Sequence, residues 1–485
     1  VKGGEENGET YPAGAGRREL SVHGGGMDYV LFCQYRDFTV VAAVAGGCGP
    51  PAFVEVLMDI SSYVKFYPAA DGQVLIYSLL RGSALQVSSD LAAAIRTGKL
   101  TDSERETLTR LGILVPDAAE EQRRVAGYFD WANANSRRQT VLITLNLDCN
   151  LACTYCYEDH FRGRKYMDSA TADLLTAQLL NGPIREGKEV LLDFYGGEAL
   201  LSLSMIKRIA APLQAAASEQ GSLFSFSLVT NGTLLTRQVV EELLPIGLGY
   251  AQITLDGPPD VHNRQRPYLS GKGSFDRIVT NLKDVCALLK VNLGGNYTRD
   301  NYHRFPELLD FLLAEGITPQ MLNKVQFSPV VPTAGEAGVA DFGMGCACSS
   351  EPWLMEASLH LREEILKRGF DTPRPKMGGC MVESECDQVV GWDGSLYKCP
   401  AFMGWDDLRI GNLSEGVGEY RESHRLDVWK TSECLECCYL PLCFGGCRFL
   451  RRLRTGAIDG VDCRKTFLDE ILERTVRQDL EFRHR

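Results

Sequence analysis

The chain has 485 residues, of which 45% are hydrophobic and 24% charged, with a net charge of −12 and seventeen cysteines. That length is too great for one ordinary domain, and about three are expected. The acidic balance argues against non-specific nucleic-acid binding, and no apolar run is long enough to span a bilayer, so neither nucleic acid nor membrane is expected as a partner. Residues 1–26 are polar and Gly-rich and lack the apolar core of a secretory signal. A disulfide framework is therefore not expected, and seventeen cysteines point to metal or redox ligation in a reducing, oxygen-poor cytoplasm.

In chain order, residues 1–26 read as a disordered tail. The β-type runs YVLFCQY, FTVVAAV and VLIYSLL follow Met27, then a helix at about 88–97. TDSERETLTRLGILV comes next, opened by a Thr101/Glu104 capping box. Strands followed by small helices predict a winged-helix-like module over 27–127, and polar segment 128–140 reads as a linker. From Val141 to about residue 335 the pattern is strict alternation. Short β runs (VLITLNL, VLLDFY, FSFSLVT, AQITLD, VNLGGN, KVQFSPV) are separated by helical ones such as SATADLLTAQLL and SFDRIVTNLKDVCALL. Parallel strands need such crossovers, so the expected α/β fold is a partial (β/α)6 barrel with its active residues at the C-terminal strand ends. Residues 336–375 form a bridging region with a helix at about 353–368. Residues 376–465 combine the highest cysteine density with the weakest periodicity, as in a small fold held by metal clusters. Residues 466–485 read as one amphipathic helix.

Directly after the first strand of the alternating region stands CNLACTYCYE, in which Cys149, Cys153 and Cys156 have the spacing C-x3-C-x2-C. A cubane [4Fe–4S] cluster takes one thiolate per iron, so three thiolates leave one iron open for chemistry. This spacing resembles the signature of the radical SAM enzymes. There the amino and carboxylate groups of S-adenosylmethionine chelate the open iron, and one electron splits the sulfonium to give a 5′-deoxyadenosyl radical. Gly196, Gly197 and Glu198 in FYGGEALL resemble that family's GGE motif, whose backbone grips the methionine amino group. Glycines let backbone approach a ligand closely, and a carboxylate complements an ammonium. By the same resemblance Tyr155 sits where the adenine packs. Thr230, Asn231, Thr254, Asp256 and Gly257, which close the third and fourth strands, fall at ribose-contacting positions. Asn296 and Arg266 are further candidates, the latter for the methionine carboxylate. The plain alternative is that Asn231 and Asp256 make Asx-turns after strands.

A second array, Cys434, Cys437, Cys443 and Cys447, is preceded by Cys380, Cys386 and Cys399 and followed by Cys463. Together with the GWDGSLYKCP segment it resembles the SPASM domain of peptide-modifying radical SAM enzymes, which implies two auxiliary [4Fe–4S] clusters and three in all. In that family's pattern Cys380, Cys386, Cys399 and Cys447 hold an inner cluster, and Cys434, Cys437, Cys443 and Cys463 an outer one. Cys386 lies rather close to Gly394 for the usual spacing, so the first ligand is either Cys380 or Cys386. A zinc ribbon is the bland alternative. Of the other six cysteines, Cys33 and Cys286 sit in apolar runs and read as core. Cys48 has no assigned role, and Cys438 is able to swap with Cys437. Cys346 and Cys348 face either the substrate cavity or solvent from a loop. No acid–base pair declares itself, and a solvated loop face accounts for Glu158, Asp159 and His160.

The resemblance implies an oxidoreductase that matures a ribosomally synthesised peptide. Hydrogen is taken from Cα or Cβ and an intrapeptide crosslink forms, a thioether before a carbon–carbon bond. The N-terminal module resembles the element that takes a precursor's leader as an added strand, and a flavodoxin or ferredoxin is the expected electron donor. Sulfatase-type formylglycine formation is the alternative within the family, and the long N-terminal module counts against it. A non-catalytic metal-binding peptide adaptor is the alternative outside it.

Overall fold

The computed structural model describes residues 58–330 and 351–483, apart from residue 157 and residues 159–161. The expected tail, the first two β runs, Cys33, Cys48, Asp159, His160, Cys346 and Cys348 lie outside the described residues.

Six parallel strands carry the alternating region: β6 (Arg138–Thr144), β7 (Glu189–Tyr195), β8 (Phe224–Thr230), β9 (Leu248–Thr254), β10 (Lys290–Tyr297) and β11 (Leu322–Pro329). They lie side by side in sequence order, as six consecutive βα units demand. Side chains alternate along each strand. On β7, Val190, Leu192 and Phe194 are fully buried against the helices, whereas Leu191, Asp193 and Tyr195 face the concave side. The concave face of β9–β11 is polar and carries Gln252, Thr254, Asn292, Asn296, Lys324 and Ser328. These line a cavity of about 200 Å³.

The sheet continues beyond β6, where four short strands extend it in the order β12 (Gln388–Val390), β13 (Ser395–Tyr397), β14 (Arg409–Asn412) and β15 (Gly416–Val417). β12 runs parallel to β6, with Val389 opposite Leu142. The cysteine-rich segment is thus built onto the barrel sheet beside the strand that feeds Cys149, and it keeps an apolar cluster of its own around Val382, Val389, Phe402 and Leu408.

At the N-terminal side, β1 (Asp59–Ile60) pairs with β5 (Leu114–Val115). β2 (Val64–Pro68), β3 (Val74–Ser78) and β4 (Ala84–Val87) form an antiparallel sheet, and helices Ser89–Thr97 and Asp102–Arg110 pack beside it. The second helix is opened by the expected capping box, with Thr101 and Glu104 reciprocally hydrogen-bonded.

The polar linker expected at 128–140 is instead structured. Helix Tyr128–Asn135 leads into β6. Phe129 packs edge-on against Phe444, with ring centroids 5.1 Å apart, and lies 6.1 Å from Trp429. Two aromatic residues among polar neighbours suffice to anchor this helix to the cysteine-rich region, because each ring removes a large apolar surface from water. One apolar core therefore unites Tyr63, Leu75 and Tyr77 of the N-terminal sheet with Trp429, Tyr439 and Phe444. Leu472 and Val476 of the C-terminal helix (Lys465–Phe482) complete it.

Candidate active site at the C-terminal strand ends

The segment after β6 is held from several sides. The backbone N–H groups of Gly197 and Glu198 donate to the carbonyls of Asn146 (3.1 Å) and Asp148 (2.8 Å). A Cβ on Gly196 would stand 2.4 Å from the Asn146 carbonyl oxygen, and one on Gly197 only 2.2 Å from that of Asp148. The glycines thus bring the GGE backbone against the cysteine loop itself, a closeness that no side chain tolerates. The Gly197→Ala variant is expected to displace Asp148 and Cys149 and to lose about four iron per chain on anaerobic reconstitution, read by iron and sulfide assay.

Glu198 is fully buried and its carboxylate is already engaged. It accepts from the Leu200 N–H (3.0 Å), the Thr230 hydroxyl (2.7 Å) and the Asn231 N–H (2.8 Å). Burial pushes this carboxyl up, and those three donors oppose the shift. In this structure Glu198 ties the end of β7 to the end of β8. Asn231 does form the Asx-turn, its side-chain oxygen accepting from the Thr233 N–H at 2.9 Å. Its amide nitrogen also donates to Asn150 (2.8 Å) and approaches the Cys149 Sγ at 3.7 Å. Asp256 makes no such turn. Its carboxylate accepts the Asn296 N–H of the neighbouring strand at 2.7 Å.

Four of the candidates converge around the Tyr155 hydroxyl. It donates to Asp256, and it accepts from Arg266 (2.7 Å) and from the Asn296 amide (3.0 Å). Arg266 lies 3.9 Å from Asp256, whose side chain is fully buried. Burial pushes the Asp256 carboxyl up, while Arg266, Tyr155 and Asn296 favour its anion. Burial also opposes the Arg266 charge, but Tyr155, Cys153 and Asp256 outweigh it and hold Arg266 well above the usual guanidinium value. His262 accepts the Asp256 N–H on Nδ1 (3.1 Å) and meets Ser274 through Nε2 (3.0 Å), and burial keeps it neutral. Thr254 lines the polar cavity with Asn296, so the cavity opens onto this network.

Burial pushes the Cys149 and Cys156 thiols up, to about 11 and about 12, with a smaller push from Glu198 and Cys153 on the first and from Glu158 and Cys153 on the second. The Leu151 N–H donates to the Cys149 Sγ at 3.4 Å. Arg162, which the sequence reading missed, braces the loop by donating to the carbonyls of Cys149 (2.9 Å) and Leu151. Glu158 is buried and not solvated as expected, and its N–H reaches the Cys156 thiol.

Seven of the eight rear cysteines lie near others of the set. Cys399 feels Cys380 and Cys447, whereas Cys434 feels Cys463 and Cys437, and Cys443 feels Cys463. Backbone N–H groups of Val382 and Arg448 reach the Cys380 thiol. Cys386 lies beside Lys398 and Tyr420. Cys438 packs against the shared apolar core and feels Lys65, Cys437 and Asp469, and Cys286 packs against the barrel core. Lys398, also missed, is 1% exposed. Its only sequence signal was its place between Tyr397 and Cys399 at the end of a strand.

These donors suit iron–sulfur clusters. The described ligand candidates are free thiols, and a cubane takes one thiolate per iron. S-adenosylmethionine is matched too. The Arg266 Nε is buried without a hydrogen-bond partner, which leaves a cationic donor free for a carboxylate.

A parallel open barrel with three thiols at the end of its first strand and a buried polar network beside them defines an iron–sulfur enzyme that handles a small charged cofactor. Residues 143–312 match the family model described as the Radical SAM superfamily. The chain carries a radical SAM domain, a family that implies S-adenosylmethionine and a [4Fe–4S] cluster as cofactors. It is similar to the serine-type anaerobic sulfatase-maturating enzyme of Bacteroides thetaiotaomicron, 24% identical over 63% of this chain and 81% of that enzyme. It is also similar to the cysteine-type enzyme of Clostridium novyi, 24% identical over 62% of this chain and 85% of the other. A solved structure of anSMEcpe with bound AdoMet superposes with a TM-score of 0.56 at 21% identity, covering 70% of this chain and 98% of that one. That likeness shows the shared fold. Among the described residues no helix is long and apolar enough to cross a membrane.

Proposed function

We propose that this enzyme oxidises one residue of a ribosomally made peptide, starting from hydrogen removal at Cα or Cβ. The observation that carries the reading is the continuation of the barrel sheet by β12–β15. It builds a second cysteine array beside β6, where an electron released by the substrate has a short path. When bound, the cluster and S-adenosylmethionine supply a 5′-deoxyadenosyl radical. The chain's own residues do the rest. Cys149, Cys153 and Cys156 ligate the cluster, and the Gly196–Glu198 backbone and Arg266 orient the methionine end. Tyr155, Asn231, Thr254, Asp256 and Asn296 frame the nucleoside. The polar cavity on β9–β11 seats the substrate residue and excludes bulk water.

Cys380, Cys386, Cys399 and Cys447 hold an inner auxiliary cluster, and Cys434, Cys437, Cys443 and Cys463 an outer one. With both fully ligated they relay the surplus electron and do not capture substrate. The N-terminal sheet takes the leader along a strand edge, and a flavodoxin or ferredoxin supplies the reducing electron. The product is an intrapeptide crosslink, a thioether first. The sulfatase-maturating relatives favour a second product, formylglycine from Cys or Ser.

Mass spectrometry of any short peptide encoded beside this gene, co-expressed with the enzyme, separates the two. Loss of two hydrogens without an aldehyde is expected for a crosslink. A product that reacts with a hydrazide reagent establishes formylglycine instead. An unmodified peptide, with 5′-deoxyadenosine formed only slowly, would remove that peptide as the substrate.

A further inference from the structure

Lys398 is a lysine where a lysine is costly. It is 1% exposed, and its ammonium donates to two backbone carbonyls, those of Ser384 and Asp387, and stands 5.3 Å from the Tyr420 ring centroid. None of its described hydrogen bonds ends on a carboxylate. A buried charge is normally paired with an opposite one, as Arg448 is with Glu383. Ser384 and Asp387 bracket Cys386, and Lys398 immediately precedes Cys399. Burial pushes its ammonium down, and Asp387, Cys386, Glu385 and Cys380 oppose that shift.

We propose that Lys398 is a positioning residue for the inner auxiliary cluster, fixing the Cys386 loop and supplying the buried positive charge that makes this cluster the preferred electron acceptor. The inference rests on reading Cys380, Cys386, Cys399 and Cys447 as its ligands. An oxidised [4Fe–4S] site with four thiolates carries about two net negative charges, and nearby charge and burial set its reduction potential. Those negative charges would join Asp387 and Glu385 as counter-charges to Lys398, whose ammonium makes no hydrogen bond to either carboxylate. Reduction adds one electron and no proton, so a fixed cation at this distance stabilises the reduced form more than the oxidised one. The outer set, with Cys463 exposed, has the half-buried Arg464 beside Cys443 where the inner set has a fully buried lysine.

The test is a potentiometric titration of the anaerobically reconstituted full chain, followed by electron paramagnetic resonance. The inner signal is identified as the one missing from Cys399→Ala. Lys398→Gln is expected to disfavour reduction of that cluster at least tenfold, about 59 mV for a one-electron couple, and Lys398→Arg to restore it. Should Lys398→Gln lose about four iron per chain that Lys398→Arg retains, the loop-fixing half is supported. An unchanged potential at full iron content overturns the proposal, as does an equal shift or equal iron loss in both variants. A wild-type chain that binds only about four iron instead overturns the ligand reading beneath it, before any lysine variant is made.

Discussion

The Cys149→Ala variant is expected to release no 5′-deoxyadenosine and to hold about four fewer iron per chain than wild type, whereas Cys286→Ala should match wild type in both. The contrast follows from surroundings, since both thiols are pushed up by burial. Cys286 meets only the barrel core. Cys149 accepts the Leu151 N–H, faces the Asn231 amide, and lies in a loop clamped by Gly197, Glu198 and Arg162. That clamp fixes where a ligand must be, so no neighbouring group can take over when the sulfur is removed. Iron content and product release by liquid chromatography measure the two effects independently. Residual 5′-deoxyadenosine above the no-enzyme control would overturn the assignment of Cys149.

The second large effect is expected at Asp256. Asp256→Ala leaves Arg266 buried without its counter-charge, and breaking one partner of a buried pair typically costs about 3–5 kcal/mol. The Asn296 N–H and the Tyr155 hydroxyl lose their acceptor in the same stroke. Asp256→Asn keeps an acceptor but not the charge, so its loss of stability should be smaller while its loss of S-adenosylmethionine binding remains. Chemical denaturation of the reconstituted enzyme and calorimetric titration with S-adenosylmethionine separate the two. Equal stability of Asp256→Ala and wild type would show that Arg266 is not held by this pair.

Much of this was legible in the sequence because its signals are periodic or chemical. Six β runs separated by amphipathic helices dictate a parallel sheet, and thiols at C-x3-C-x2-C announce themselves. Tyr155, Asp256, Arg266 and Asn296 were found singly, although nothing in their spacing says that one hydroxyl joins them. Other features leave no local trace. β12 and β13 have three residues each, too few to display a period. Phe129 looked like a stray aromatic in a linker because its partners, Phe444 and Trp429, lie some three hundred positions on. Glu198 read as a ligand for an ammonium, but its acceptors are occupied by Leu200, Thr230 and Asn231, all within reach only after the strands align. Lys398 passes for a surface residue until burial is known.

The apolar core shared by the N-terminal sheet, the Trp429–Phe444 region and the C-terminal helix has a consequence for biosynthesis. Tyr63, Leu75 and Tyr77 are covered by Leu472 and Val476, and Arg477 donates to the carbonyl of Pro68 across 409 positions. Contacts so distant along the chain cannot form until the helix Lys465–Phe482 has been synthesised. The N-terminal sheet is therefore made well before the helix that covers it, and its apolar face waits uncovered in the interval.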